Sequence, residues 1–309
     1  MKILVVSGFL GAGKTTFITH MAKRCHEKFV VMENEMGAVG VDGGLLSSAL
    51  QDDVKVWELT EGCICCSMKT DFATSVLTIE NALSPEYLLV EPTGVGILSK
   101  IISNIQSIAY ERISLLSPIT VLDACACYDT ARDFPDLFAD QLGAAGTVIV
   151  SKTEAMDSDS RDQVHDFVRQ YAPQAEIIAR PYAEQSDEWW SNLWRRQLSG
   201  AVVASNDTSE IDLENVGLTQ VPPLSPGQLV TLLEKTVRGH FGNVVRAKGM
   251  IPASNGQEML RFDVVDGRYS IIGADACVDA KAVFIGRNLK NKHLLSEEII
   301  AFNRSKIEK

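Results

Sequence analysis

Apolar residues recur along the first two thirds of the chain in two alternating patterns. Short β-branched runs at Lys2 to Ser7, Phe29 to Asn34, Val54 to Leu59, Tyr87 to Glu91, Ile119 to Asp123, Thr147 to Ser151 and Glu176 to Ala179 predict buried strands. Between them, Lys14 to His26, Asp71 to Ala82, Ile97 to Ile108, Asp133 to Ala144 and Ser158 to Tyr171 carry the helical period. Strands separated by helices predict an α/β fold with a largely parallel sheet, because parallel neighbours need a long crossover between them. Trp189, Trp190 and Trp194 fall on a last helix, and the spacing of Trp190 and Trp194 predicts a packed face rather than a ligand site.

The rhythm stops near Ala204, where the chain turns polar and then supplies Pro222, Pro223 and Pro226. This predicts a first domain over residues 1–203, a linker over 204–226 and a smaller α+β domain over 227–309. In the latter, Pro226 opens a helix through Val237. Extended runs follow at Val244 to Ile251, Glu258 to Val265, Tyr269 to Ile272 and Val283 to Ile285, and Ser296 caps a final helix.

Composition narrows the function classes. With 46% hydrophobic and 22% charged residues, the chain is globular rather than fibrous or disordered. Its 29 Lys and Arg against 40 Asp and Glu leave a net charge of −11, which repels nucleic acid and anionic lipid. No apolar run reaches the roughly 18 residues that span a bilayer, and a cytoplasmic location is expected. Seven cysteines in a chain of this size fit reduced thiols better than a disulfide framework.

Gly8, Gly13, Lys14 and Thr15 satisfy G-x-x-x-x-G-K-T between the first strand and the first helix, the context a phosphate loop requires. Gly8, Gly11, Ala12 and Gly13 curl the backbone so that amides and the helix N-terminus face phosphates, while Lys14 places a point charge beside them. Thr15 is expected to ligate Mg²⁺, and Thr16 to help hold the α-phosphate. Glu91, at the end of the Leu88, Leu89, Val90 run, is expected to hold Mg²⁺ through water, with Gly94 approaching a γ-phosphate. Ser151, Lys152, Thr153 and Glu154 end another strand. There a carboxylate can accept both the N1 and N2 hydrogens of guanine, and the Lys152 stem can cover the base.

Cys63, Cys65 and Cys66 place three soft ligands within four residues, beside a Gly62 turn. Zn²⁺, Co²⁺, Ni²⁺ and Cu⁺ all suit them, and three cysteines leave a tetrahedral site one ligand short, as transfer demands. Glu33 and Glu35 end the second strand in switch territory, where either could sense Mg²⁺, position water or join the metal. Cys125 and Cys127 are read as alternating across a strand end.

Five segments in order, GFLGAGKTT at Gly8 to Thr16, ENEMG at Glu33 to Gly37, CICC at Cys63 to Cys66, EPTG at Glu91 to Gly94 and SKTE at Ser151 to Glu154, resemble the CobW family of phosphate-loop GTPases, relatives of HypB and UreG. VVRAKGM at Val244 to Met250 and VFIGRNL at Val283 to Leu289 are similar to that family's C-terminal domain. The resemblance implies hydrolysis of GTP to GDP and phosphate, slow without a partner or metal, coupled to transition-metal delivery or metal-cofactor assembly. A client metalloenzyme or corrinoid-related protein is the implied partner, with a nucleotide-dependent homodimer left open. The chain departs from the family at Ser151 and Glu154, where asparagine and aspartate are usual, and at Ala38, where many members have glutamate. A nucleotide-gated scaffold without metal transfer and a small-molecule kinase are the competing functions.

Overall fold

The computed structural model describes residues 1–25, 27–33, 55–58, 69–109, 112–198, 213–219, 221–256, 258–265, 267–274 and 280–289. The chain forms two compact units. In the first, β1 (Lys2–Ser7), β2 (Phe29–Glu33), β3 (Lys55–Glu58), β4 (Tyr87–Glu91), β6 (Ile119–Asp123), β7 (Thr147–Ser151) and β8 (Glu176–Ile178) form one sheet in the order β3-β2-β4-β1-β6-β7-β8. The two-residue β5 (Ser114–Leu115) lies beside β1. Every pairing described in this sheet is parallel.

Its helices are α1 (Lys14–Arg24), α2 (Lys69–Leu83), α3 (Leu98–Ile108), α4 (Cys127–Asp133), α5 (Pro135–Gly143), α6 (Ser158–Tyr171) and α7 (Asp187–Leu193). They bury both faces of the sheet, which is why its strands read as unbroken apolar runs. Leu4, Val6, Val31 and Leu89 pack with Phe17, Ile18 and Met21 of α1. The alternate residues Ile3, Val5, Val30 and Leu88 pack with Val76 and Ile79 of α2 and with Ile101, Ile102 and Ile105 of α3.

The tryptophans pack as their spacing predicts. Trp190 and Trp194 are fully buried. The Trp190 ring lies 5.3 Å from that of Phe17, and Trp194 lies 4.9 Å from both Phe29 and Tyr87.

One expected helix has an unforeseen neighbour, and two expectations need correction. The helix expected over Asp133 to Ala144 is α5, and a separate short helix not foreseen, α4, precedes it and ends at Asp133; Phe134 (φ −137°, ψ 57°) parts the two, because Pro135 disfavours helical backbone in the residue before it. Cys125 and Cys127 do not alternate across a strand end, since β6 stops at Asp123 and Cys127 opens α4. The segment read as linker contains β9 (Glu214–Thr219), which pairs along its length with the last described strand, β13 (Lys281–Arg287).

In the second unit, β10 (Asn243–Pro252), β11 (Met259–Val265) and β12 (Arg268–Ala274) join β9 and β13 in an antiparallel sheet ordered β12-β11-β10-β13-β9. Helix α8 (Pro226–Val237) sets Leu229, Leu232 and Leu233 against Ala247, Ile251, Phe262 and Phe284. A capping box starts it: Gln228 N donates to Ser225 Oγ (3.3 Å) and Ser225 N donates to Gln228 Oε1 (2.8 Å). The helix expected after Ser296 lies outside the described residues.

Replacing Trp190 with Ala is expected to lower stability by about 3–5 kcal/mol through lost burial and a residual cavity. Ser225→Ala should cost about 1 kcal/mol. Denaturant titrations that ranked the two in the opposite order would contradict this packing.

Candidate functional site

Open parallel sheets bind ligands beyond the carboxyl ends of their strands. Here β1, β4, β6 and β7 deliver Gly8, Glu91, Asp123 and Ser151 to that edge. The turn between β1 and α1 needs its glycines. Gly8 has φ +141°, and a Cβ there would lie 2.1 Å from the Val121 carbonyl oxygen. Gly13 is the left-handed N-cap of α1, at φ 94° and ψ 23°. Inside the turn, Ala12 N donates to Phe9 O at 3.2 Å. The first turn of α1 carries no acidic residue of its own, which leaves its positive dipole end suited to an anion.

Lys14 is buried and its ammonium lies over the loop, donating to Gly8 O (3.0 Å) and Phe9 O (3.4 Å). Thr15 Oγ1 donates to Glu91 Oε1 at 3.3 Å, joining the loop to the end of β4. Glu91 stands in register with Glu33 on β2, and both carboxylates are buried. A threonine hydroxyl beside buried carboxylates is an all-oxygen donor set, the kind a hard divalent cation takes. Beyond Glu91, Gly94 presses on the phosphate loop: a Cβ there would come within 2.6 Å of Leu10 N. Gly11 lies in the turn, and Thr16, in the first turn of α1, is exposed.

The β7 end is tied to the same loop. Ser151 Oγ donates to Ala12 O at 2.6 Å and lies 3.2 Å from Leu122 O. Lys152 adopts the left-handed conformation (φ 60°) and its ammonium pairs with the Asp123 carboxylate. Asp123 is buried, and its Oδ1 also accepts from Cys125 N at 2.9 Å. Arg161 Nε donates to Thr153 O at 3.2 Å, bracing the turn that exposes Glu154. The sequence reading missed Asp123. An acid at a buried strand's carboxyl end, the same signal that marked Glu91, would have found it.

The structure therefore brings Gly8, Gly11, Ala12, Gly13, Lys14, Thr15, Thr16, Glu33, Glu91, Gly94, Ser151 and Lys152 to one edge of the sheet, with Glu154 on the adjoining turn. Glu35, Cys63, Cys65 and Cys66 lie outside the described residues. Among the described residues no three His, Cys, Asp or Glu side chains form a metal-holding group, and no helix is long and apolar enough to cross a membrane.

Residues 2–179 match the family model described as CobW/HypB/UreG, nucleotide-binding domain, and residues 213–298 match the cobalamin synthesis protein cobW C-terminal domain. The first match alone covers more than half of the 309 residues. The chain belongs to the CobW/HypB/UreG family. It is 31% identical over 177 residues to a protein of Escherichia coli described as zinc chaperone YeiR, an alignment covering 56% of this chain and 53% of that one. The chain thus spans about half the length of that relative. It is also 24% identical over 312 residues to the E. coli protein described as zinc chaperone YjiA, covering 95% of this chain and 96% of the relative. The crystal structure of Zn(II)-bound YjiA GTPase from E. coli aligns with a TM-score of 0.47 at 20% identity, covering 98% of each chain.

Two cysteines, Cys25 at the C-terminal end of α1 and Cys127 at the start of α4, are buried. Burial pushes the Cys25 and Cys127 thiols up to about 11, so both remain protonated at neutral pH, whereas Cys125 is exposed. Alkylation at pH 8 followed by peptide mass spectrometry should label Cys125 well before Cys25 or Cys127; equal labelling would refute the burial. Because both folded pKa values lie above the usual 9.0, their contribution to stability holds below pH 9 and is lost as pH rises toward 11.

Proposed function

We propose that this chain is a GTP-hydrolysing metallochaperone that couples its nucleotide state to delivery of a transition metal, zinc, to a client metalloenzyme or corrinoid-related protein in the cytoplasm. The observation that carries this reading is the Thr15–Glu91 hydrogen bond, which joins a phosphate loop to a buried carboxylate at the neighbouring strand end. The likeness to the zinc chaperones YeiR and YjiA supports zinc as the cargo.

In this mechanism the α1 N-terminus and Lys14 hold the phosphates, and Lys14 exchanges the carbonyls of Gly8 and Phe9 for phosphate oxygens. Thr15 and Glu91 fit Mg²⁺, with Glu91 acting through water; bound there, the ion would neutralise charge on the β- and γ-phosphates. Ser151 holds the base-reading segment against Ala12, Lys152 covers the guanine face, and Glu154 accepts its N1 and N2 hydrogens. The longer acid at Glu154 reaches the base from an exposed turn.

Water attacks the γ-phosphorus, releasing phosphate and leaving GDP. Catalysis is mainly positioning and charge stabilisation, with Glu35 orienting water, so intrinsic turnover is slow. Loss of the γ-phosphate frees the Gly94 loop and the segment after Glu33. The cargo is held by Cys63, Cys65 and Cys66, with Glu33 or Glu35 available as an oxygen ligand. Hydrolysis thereby alters the affinity of the thiolates for zinc.

Lys14→Ala should lower GTP turnover by about 10²–10³-fold, the scale of losing one preorganised donor to the transition state; unchanged turnover in a phosphate-release assay would overturn the nucleotide assignment. Calorimetry of zinc with GTP-bound and GDP-bound protein should give different affinities. By linkage, zinc must alter the GTP-to-GDP affinity ratio by the same factor. Equal zinc affinity in both states would leave a nucleotide-gated scaffold as the function.

A further inference from the structure

We infer that Gln141, on α5, is a positioning residue for the phosphate-sensing loop that follows β4; the inference rests on the nucleotide reading above. Gln141 is 3% exposed although it is polar. Its Nε2 donates to Gly96 O at 3.1 Å and to Gly94 O at 3.4 Å. The same residue's backbone oxygen accepts from Thr120 Oγ1 of β6 at 2.7 Å, so the carboxamide projects from an anchored point.

The preceding residue completes the attachment. Asp140 accepts from Ser99 N at 3.1 Å and from Ser99 Oγ, at the first turn of α3, where the N-cap Ile97 supplies no side-chain bond of its own. Between these two anchors, Gly96 N donates to Thr93 O at 2.8 Å and closes the turn. On its other side the loop meets the phosphate loop at Leu10, where Gly94 leaves no space for a side chain. At the start of α5, the Phe134 ring lies 4.9 Å from Phe9, also in the phosphate loop.

Two glycines in one short loop give its peptide planes wide freedom. A carboxamide is the side chain that removes it here, because it offers two N–H donors from one rigid plane to two carbonyl oxygens. Fixing Gly94 O fixes the Gly94–Val95 peptide, and with it the approach of the loop to the γ-phosphate. Gln141 touches neither nucleotide nor water in this account and acts only through Gly94 and Gly96.

The test uses the full chain and three variants. Gln141→Leu keeps volume and removes both donors. It should lower kcat for GTP about tenfold while KM stays within about twofold, and should speed amide exchange across residues 93–97 about tenfold, the order expected for lost buried hydrogen bonds. Gln141→Glu presents a carboxylate to two carbonyls at pH 8 but regains one O–H donor on protonation. Its kcat relative to wild type should therefore rise as pH falls from 8 to 5. A merely structural glutamine would not produce that profile.

Wild-type kcat in Gln141→Leu, a rise in KM alone, or a Gln141→Glu profile parallel to wild type would each overturn the inference. Should Gln141→Leu fail to fold, the Gln141→Glu profile decides. Lys14→Ala separates the two levels. If wild type turns GTP over no faster than Lys14→Ala, the nucleotide reading falls and this inference with it. If wild type turns over and the Gln141 variants match it, this inference alone falls.

Discussion

The absence of a side chain at Gly8 is the constraint on which the nucleotide edge depends. A Cβ there would sit 2.1 Å from the Val121 carbonyl, so only glycine lets the chain leave β1 flush against β6 and curl back into α1. That turn sets the position of Lys14, and one residue later of Thr15, within reach of Glu91. It also leaves Ala12 O facing Ser151 from β7. Three strand ends are thus held together by one tight departure of the backbone, and each contact is a short-range polar bond that a displaced loop would break.

The parts of the fold legible in the amino-acid order are those in which local and tertiary preferences agree. Strands β4, β6 and β7 span the residues that their apolar runs mark, because burial on both faces demands continuous hydrophobicity. Elements that break this agreement were not legible. The short β5 pairs over only two residues and has no period to detect. Strand β9 lies in a stretch that reads as polar, and its place comes from pairing with β13, over sixty residues later in the chain. Helix α4 spans only seven residues, too few to show a helical period, so only α5 after it was legible.

The same distinction divides the site. The phosphate loop is a local motif, so Gly8, Gly13, Lys14 and Thr15 announce themselves by spacing. Ser151 is weaker as a signal, since a serine replaces the usual asparagine, yet its hydroxyl reaches Ala12 O across the sheet. Asp123 is marked by its place at a strand end, but its pairing with Lys152 and the contact of Gln141 with the Gly94 loop join residues distant in sequence, which neither spacing nor composition reveals. Donor chemistry separates the two ends of the proposed mechanism: oxygen groups at Thr15 and Glu91 suit hard ions, and the sulfur groups at Cys63, Cys65 and Cys66 suit soft ones. On that proposal one polypeptide holds two metals of different character at chemically distinct donors.

Lys14 has one further consequence. Its ammonium already sits among the carbonyls of Gly8 and Phe9, so most of its hydration was surrendered when the chain folded. In the proposed mechanism an arriving phosphate exchanges these carbonyls for charged oxygens at a cation already largely desolvated and aimed. Capture then draws on an exchange of partners rather than a fresh dehydration, and the loop keeps its shape between visits because its own lysine serves as the placeholder.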